Sequence, residues 1–337
     1  MSIRLLAIYA GGTIGMAPDR HGALVSCSLQ ELLSELPFAS RVELGKLGLA
    51  QVDWKTTPEL IDSANVGVDD WRIMAGLIAD NYEDYQGFVL LHGTDSMAYS
   101  ASALSFALHG LSKPVVFTGA QFPLGAPGGD GLDNLMLALR AAAMGASLPE
   151  VCIAFGDRLL RGNRARKAHT NARKGFDTPN HPALGLGDEG KFGGAPTGPN
   201  TPFECRPVFS TDLANLFYTP GMRILGFIDQ LNSSKANGLL LHSLGCGNMP
   251  THPQLFAAIK NAVTKGKTLL NITQCAQGSV DPSIYSTGRA LRQNGVIQGG
   301  DMTPEAAATK LMWALANIAP EDRATYLTTN QAGELTA

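Results

Sequence analysis

The sequence predicts an α/β protein in which a larger N-terminal domain, built on a doubly wound and mostly parallel sheet, precedes a smaller C-terminal α/β domain. Three observations lead to this prediction. The chain has 337 residues, which is enough for two domains of ordinary size. Short apolar runs alternate with segments of helical spacing in both halves, as in doubly wound sheets. A stretch rich in Gly and Pro separates the two halves.

Four apolar runs in the N-terminal half predict strands that are buried on both faces, because each run is continuous and ends near Gly, His or Asp. They cover residues 5–9, 87–91, 114–117 and 151–155. Helical spacing between these runs predicts three helices. One contains Trp71, Met74, Leu77 and Ile78 behind a cap at Asp69 or Asp70, and the others cover residues 97–108 and 132–144.

The Gly- and Pro-rich stretch predicts a linker over residues 188–210. We therefore expect the N-terminal domain to span residues 1–187 and the C-terminal domain to span residues 211–337. In the C-terminal domain, apolar runs predict strands over residues 224–228, 238–242 and 268–272, and helices are predicted after Thr251, Ser286 and Thr303. The chain shows no sustained repeat or heptad array, which excludes solenoids and coiled coils.

Composition and charge favour a small-molecule partner. The formal charge is −3 and the pI is near 6.2, whereas nucleic-acid-binding proteins usually carry a basic face. No apolar run approaches the roughly 20 residues of a membrane-spanning helix, and the N-terminus lacks a signal-peptide pattern. The five cysteines are never spaced as CxxC, so neither a disulfide framework nor a metal site is predicted. We expect a cytoplasmic protein without nucleic-acid or membrane partners.

Three polar segments follow predicted strands, and open α/β sheets bind ligands beyond the carboxyl ends of their strands. They are residues 10–15 (AGGTIG), 92–96 (HGTDS) and 161–167 (RGNRARK). We expect these segments to converge if their strands are neighbours. The glycine segment matches neither GxGxxG nor a P-loop. Residues 266–268 (GKT) look like a P-loop tail, but Asn261 stands where the first glycine is required.

Thr13, in the first of these segments, is a candidate nucleophile. A neutral hydroxyl needs a base and donors for the developing oxyanion, and Thr94, Asp95 and Lys167 together can relay a proton. Other interpretations stay open at this point. The Gly-Gly-Thr loop can be a tight turn, Asp95 an acid at a helix N-terminus, and Lys167 part of a solvated basic face. For His92 we expect a structural role, because no second ligand stands at metal-binding spacing beside it.

Residues 9–16 (YAGGTIGM) and 91–98 (LHGTDSMA), with residues 161–164 (RGNR) followed by Lys167, resemble the motifs of the bacterial type I L-asparaginases. These are the cytoplasmic branch of the asparaginase and glutaminase family, and the similarity extends across nearly the whole chain. The resemblance implies hydrolysis of L-asparagine to aspartate and ammonia without a cofactor. It also implies that Thr13 forms an acyl-enzyme, while Thr94, with Asp95 and Lys167, assists proton transfer.

The resemblance further implies how the substrate is bound and how subunits assemble. Asp62 and Ser63 bind the charged groups of the amino acid, and Asp95 meets its ammonium. A hydroxyl and a carboxylate suit a zwitterionic ligand, although the same two residues can instead cap the helix that follows. The family forms tight dimers, often paired into tetramers, in which Asn248 is the residue expected to approach the site of a neighbouring subunit.

Two departures from the family pattern bear on catalysis and on substrate choice. Residues 22–26 (GALVS) lack the loop tyrosine that commonly helps to activate the nucleophile. Either Ser26 or Ser28 substitutes for it, or Thr13 is activated differently, or turnover is slow. Residues 63–65 (SAN) replace a more polar segment, which affects the preference for the substrate side chain.

A third departure concerns regulation. Some type I enzymes have an allosteric asparagine site with an arginine at the position of His242, whereas Thr273 and Cys275 are retained here. Without a fixed guanidinium for a carboxylate, activation by asparagine is expected to be weak or absent. Two alternative functions remain: an amidase of the family that prefers glutamine or an aminoacyl-tRNA amide, and an amino-acid-binding sensor that has lost its chemistry.

Overall fold

The computed structural model describes residues 3–34, 49–187, 193, 201–281, 283 and 286–336, without the side chains of residues 49–51. The chain divides into two compact units, residues 1–207 and residues 208–337. This division falls inside the predicted linker over residues 188–210, part of which lies outside the described residues. The predicted domain boundaries therefore stay a prediction.

The N-terminal unit is built around a seven-stranded sheet. The described strands of this unit, which include those of smaller two-stranded sheets, are in chain order β1 (Ile3–Tyr9), β2 (Met16–Pro18), β3 (Leu24–Ser26), β4 (Leu49–Thr56), β5 (Gly87–Leu91), β6 (Leu108–His109), β7 (Val115–Thr118), β8 (Val151–Phe155), β9 (Arg158–Arg161), β10 (Arg166–Lys167), β11 (Phe176–Asp177), β12 (Gly185–Leu186) and β13 (Glu204–Cys205). The sheet has the order β12-β9-β8-β7-β5-β1-β4. The strands from β8 to β4 in this order are parallel, whereas β9 pairs antiparallel with both of its neighbours, β8 and β12. The predicted mostly parallel sheet is thus confirmed.

The three helices predicted for the N-terminal unit are confirmed as α2 (Val68–Ala79), α3 (Met97–Ala107) and α4 (Gly131–Ala142), and the described residues also contain α1 (Leu29–Ser34), which was not predicted. The start of α2 differs, because Gly67 occupies the cap position. The Asp70 carboxylate accepts a hydrogen bond from the Gly67 N–H at 2.8 Å. Asp69 and Asp70 therefore lie in the first turn, where carboxylates stabilise the helix dipole, and neither occupies the N-cap position, although Asp70 supports the cap from the third helical position.

The order of the strands determines where a ligand can bind. β1 and β5 are neighbours, but the chain continues from β1 to β4 on one side and from β5 to β7 on the other. Such a switch in direction opens a crevice between the two loops that follow the strands. The side chains of β1 from Leu5 to Tyr9 are fully buried, which explains the continuous apolar run. The loops after Tyr9 and Leu91 are therefore the expected position of a site.

The C-terminal unit contains a parallel sheet of four strands in chain order. Its elements are β14 (Leu213–Phe217), α5 (Ile224–Ser233), β15 (Gly238–Ser243), α6 (Pro253–Thr264), β16 (Thr268–Thr273), α7 (Ser286–Gln293), β17 (Ile297–Gln298), α8 (Pro304–Asn317) and α9 (Arg323–Thr328). Successive side chains of β15 enter two different apolar clusters, with Leu239 and Leu241 in one and Leu240 in the other. Both faces of the sheet are therefore covered, as in the predicted smaller α/β domain.

The strand predicted over residues 224–228 is wrong, because this segment is the beginning of α5. Phe227, Ile228 and Leu231 are buried at helical spacing, whereas Leu225 is 47% exposed. A short apolar run fits a buried strand and a buried helix turn equally well. One edge strand of this sheet is β14, whose apolar pattern is interrupted by Asn215.

Two further findings concern partners. Within the described ranges, no helix is long and apolar enough to cross a membrane. The same residues contain no group of three or more His, Cys, Asp or Glu side chains that could hold a metal ion.

Candidate active site

The loop after β1 lies against two other strand-end segments, and this contact requires glycine. Gly11 and Gly12 have φ angles of +121° and +89°, which other residues rarely adopt. A Cβ at Gly11 would lie 2.5 Å from the carbonyl oxygen of Ile61, and a Cβ at Gly12 would lie 2.4 Å from the nitrogen of Gly93. The loop that carries Thr13 is therefore in direct contact with the loop after β5.

Thr13 begins a single turn of 3₁₀ helix, Thr13–Gly15, closed by a hydrogen bond of 3.0 Å from the Gly15 N–H to the Gly12 carbonyl. The predicted tight turn is therefore present and is compatible with a reactive side chain. The Thr13 side chain is half-buried. Among the described residues, nothing forms a hydrogen bond with its hydroxyl. The hydroxyl is thus available to a ligand at the switch point of the sheet.

Lys167 links the two other polar segments, because it lies in residues 161–167 and its side chain binds residues 92–96. Its Nζ donates a hydrogen bond of 2.9 Å to Thr94 Oγ1 and one of 2.6 Å to Asp95 Oδ1. The Lys167 side chain is 19% exposed and that of Asp95 is 63% exposed. Because the ammonium donates to Thr94, the hydroxyl proton of Thr94 remains free to donate elsewhere. Asp95 precedes α3 and binds Lys167, so it does more than stabilise a helix terminus.

The strand β10 holds Lys167, and the neighbouring arginines do not form a solvated face. Lys167 pairs with Phe176 of β11 in an antiparallel hairpin. Arg161 and Arg164 are 8% and 1% exposed. Arg161 Nε lies 2.5 Å from Glu150 Oε2, and Arg164 Nη2 donates to the backbone. These buried arginines anchor the segment from inside the unit, which leaves Lys167 directed toward Thr94 and Asp95.

Ser63 and Asp62 lie beside this group. Ser63 Oγ accepts a hydrogen bond of 3.3 Å from the Asp95 N–H, and its carbonyl accepts one of 2.6 Å from Ser96 Oγ. Ser63 is 6% exposed, so its hydroxyl is part of the loop contact. The Asp62 carboxylate accepts a hydrogen bond of 3.1 Å from the Ala64 N–H and caps the short turn Ser63–Asn65. Asp62 is exposed and does not cap α2.

The buried His92 side chain stabilises the loop that follows β5. Its Nδ1 lies 2.7 Å from the Gly93 carbonyl, and its Nε2 lies 3.0 Å from Ser100 Oγ. The carbonyl can only accept, so Nδ1 carries the proton and Nε2 accepts from the hydroxyl. Trp71 Nε1 donates to the same hydroxyl at 3.0 Å. Burial lowers the pKa of His92. The neutral imidazole therefore fixes the Gly93 carbonyl.

The segment after Thr13 forms a small hairpin of β2 and β3, and within it residues 22–26 are exposed. Ser28 is not available as a substitute for the absent tyrosine, because its Oγ donates to Glu31 Oε2 at 2.8 Å at the start of α1. Tyr9, which sequence analysis did not assign, braces this hairpin, since its hydroxyl donates to the Gly15 carbonyl at 2.8 Å. Burial, and secondarily Cys27, raises the pKa of Tyr9 to about 12. Tyr9 therefore stays a donor.

The remaining predicted residues belong to the C-terminal unit. Asn248 Oδ1 accepts a hydrogen bond of 2.6 Å from Thr287 Oγ1. His242 Nε2 lies 2.9 Å from Asn215 Oδ1. Thr273 Oγ1 donates to the Gly245 carbonyl at 2.6 Å and accepts from the Cys275 N–H at 3.0 Å. The sites of Asn248 and of the His242, Thr273 and Cys275 group stay predictions.

Comparisons with known proteins agree with the motifs. The family model for the N-terminal domain of asparaginase matches residues 4–193, and that for the glutaminase/asparaginase C-terminal domain matches residues 214–325. L-asparaginase 1 of Escherichia coli is 38% identical over 97% of this chain and 96% of its own length. The crystal structure of L-asparaginase I from Vibrio cholerae is 34% identical with a TM-score of 0.86, and all of both chains is covered. The L-asparaginase of Thermococcus kodakarensis is 28% identical with a TM-score of 0.87, over 99% of this chain and 100% of that one. The chain therefore belongs to the asparaginase family, as its two threonine motifs predicted.

Proposed function

We propose that this protein hydrolyses the side-chain amide of L-asparagine to L-aspartate and ammonia, with Thr13 as the nucleophile. The observation that carries the proposal is the pair of hydrogen bonds from Lys167 to Thr94 and Asp95, beside a loop that offers a free threonine hydroxyl. Both loops lie at the switch point between β1 and β5, where a doubly wound sheet binds its ligand.

The reaction has two halves. Thr13 Oγ attacks the amide carbon, and its proton passes to the leaving nitrogen with the help of Thr94 and Lys167. Ammonia leaves and an ester to Thr13 remains. Water then attacks the ester, returns a proton to Thr13 and releases aspartate. Backbone N–H groups of the glycine-containing loops supply donors for the oxyanion in both halves, and no cofactor takes part.

Binding of the substrate uses the groups beside Lys167. Asp95 meets the ammonium of asparagine, and Asp62 and Ser63 contact its other polar groups. We further propose a homodimer or homotetramer in the cytoplasm, with Asn248 of a neighbouring subunit approaching this site. Light scattering on the purified protein tests the assembly, and a monomer at working concentration contradicts it.

The test is ammonia release from L-asparagine, D-asparagine and L-glutamine. We expect L-asparagine to be the best substrate, and Thr13→Ala to lower kcat by about a thousandfold or more. Thr13→Ser is the matched control, since it keeps a hydroxyl and should retain measurable turnover. Wild-type turnover in Thr13→Ala would show that the nucleophile is another residue.

The alternative functions have different outcomes in the same assay. Faster release from L-glutamine than from L-asparagine identifies a glutamine-preferring amidase. If the protein binds asparagine in calorimetry but releases no ammonia from any of the three amides, it is an amino-acid-binding sensor.

A further inference from the structure

A buried carboxylate outside the site organises the loop between β7 and α4. Asp130 is 3% exposed, and among the described residues no cation pairs with it. Its carboxylate instead accepts hydrogen bonds from the N–H groups of Gln121 at 3.0 Å and Phe122 at 2.9 Å, and from the Asn134 amide at 3.1 Å. Each partner is a donor, so the carboxylate ties both ends of the loop to α4.

Asn134 extends this connection to the turn between β8 and β9. It is 1% exposed, and its Nδ2 also donates to the Gly119 carbonyl at 3.0 Å, while its Oδ1 accepts from the Gly156 N–H at 2.9 Å. All polar atoms of this amide therefore bind backbone groups or Asp130. Asp130 and Asn134 together therefore hold the backbone at Gly119, at Gln121 and Phe122, and at Gly156.

These segments support the turn that closes the Lys167 hairpin. Gln121 Nε2 donates to the Ala172 carbonyl at 3.2 Å, and Arg173 donates to the Gly128 carbonyl. Gly156 lies so close to the turn that a Cβ there would be 2.3 Å from the Arg173 carbonyl oxygen. The position of β10, and with it Lys167, thus depends on segments that Asp130 and Asn134 hold.

The same loop also contacts the Thr13 segment. The Leu124 N–H donates to the Ile14 carbonyl at 3.0 Å, one residue after Thr13. One loop therefore supports the threonine on one side and the lysine hairpin on the other.

We propose that Asp130 and Asn134 are positioning residues that set the distance between Thr13 and Lys167. This inference rests on the proposed function, because it takes Thr13 and Lys167 as the reacting pair. Neither positioning residue forms a hydrogen bond with Thr13, Lys167 or the substrate-binding residue Ser63. Their effect acts through the backbone, and displacements of about 1 Å in a reacting pair can lower a rate by about a hundredfold.

The test compares kcat and KM for L-asparagine in Asp130→Asn and Asn134→Asp. We expect kcat to fall by about 10- to 100-fold and KM to change less than about threefold, because the contacts of Asp62 and Ser63 are untouched. Asp130→Ala should lower kcat further, since the amide of Asp130→Asn still accepts one hydrogen bond. Glu334→Gln is the matched control, because Glu334 is a fully buried carboxylate of the C-terminal unit, paired with Lys310. It should lower the melting temperature and keep wild-type kcat.

Wild-type kcat in Asp130→Asn overturns the inference, and so does a KM that rises in step with the fall in kcat. If Asp130→Asn does not fold, Gln121→Met removes only the link to Ala172, and an unchanged kcat in that variant has the same consequence. If the wild type does not hydrolyse asparagine, the proposed function fails separately. Hydrogen exchange over residues 166–177 then tests the positioning role by itself. If Asp130 holds the Lys167 hairpin in place, these residues exchange faster in Asp130→Asn than in Glu334→Gln.

Discussion

The two sides of Thr13 are built differently. On one side, Lys167 is 19% exposed and binds Thr94 and Asp95 at 2.9 and 2.6 Å. On the other side, the β2–β3 hairpin presents Leu24 and Val25, each 47% exposed. The proton-transfer groups are therefore held by the fold before any substrate arrives, whereas every residue of β3 in the hairpin is exposed. Changes on the lysine side should lower activity strongly, and changes on the hairpin side should lower it little.

Replacing Lys167 by Met gives the largest expected effect. This change removes both hydrogen bonds and the group that relays the proton, so kcat should fall by about a thousandfold while the melting temperature stays close to that of the wild type. Ammonia release and thermal unfolding measure the two quantities. Lys174→Met is the matched control in the same hairpin, because Lys174 is 64% exposed and pairs with Asp157. Equal activities of the two variants would contradict the role assigned to Lys167.

Replacing Tyr9 by Phe tests the base of the hairpin. The Gly15 carbonyl loses one donor but keeps the Cys27 N–H at 2.8 Å, so we expect a loss of about 1 kcal/mol in stability. We expect a fall of about fivefold in kcat. A fall as large as that of Lys167→Met would show that the tyrosine takes part in the chemistry.

Tyr9→Phe should also change how the stability of the protein depends on pH. Burial raises the pKa of Tyr9 to about 12 from its ordinary value of 10, so the folded protein keeps the proton that the unfolded chain releases. Stability is unaffected by this group below about pH 10 and falls as the pH rises from 10 to 12. Urea unfolding across this range should show a smaller loss in Tyr9→Phe than in the wild type. Equal losses would contradict the assigned environment.

How far the sequence predicts the molecule depends on the kind of signal. Strands buried on both faces are continuous apolar runs, so β1, β5, β7 and β8 were predicted, whereas β4, β9 and β12 of the same sheet were not. Residues 224–228 are too short a run to distinguish a strand from a helix. Lys167 was found by its motif and not by its charge pattern, because the burial of Arg161 and Arg164 is invisible in spacing. The role of Asp130 could not be predicted from the sequence. Its partners are mostly backbone N–H groups, which every residue type except proline has, so no side-chain pattern indicates them.

Smaller effects are expected within the hairpin. Ser26→Ala should change kcat by less than about threefold, because Ser26 lies on the exposed strand β3. Ser28→Ala should cost about 1 kcal/mol of stability through the lost cap and leave kcat unchanged. Kinetics and denaturant unfolding separate the two outcomes. A tenfold fall in kcat for Ser26→Ala would identify Ser26 as the replacement for the absent tyrosine.

The smallest expected effect concerns the C-terminal unit, where the groups proposed for regulation are already engaged. The Thr273 hydroxyl donates to the Gly245 carbonyl at 2.6 Å, so its proton is not free for a carboxylate effector. His242 Nε2 lies 2.9 Å from Asn215 Oδ1 and offers an imidazole instead of a fixed guanidinium. We expect a hyperbolic dependence of rate on asparagine concentration, with a Hill coefficient of about 1. A strongly sigmoidal curve that His242→Ala makes hyperbolic would place an activating site here and show that activity also depends on groups outside the Thr13 crevice.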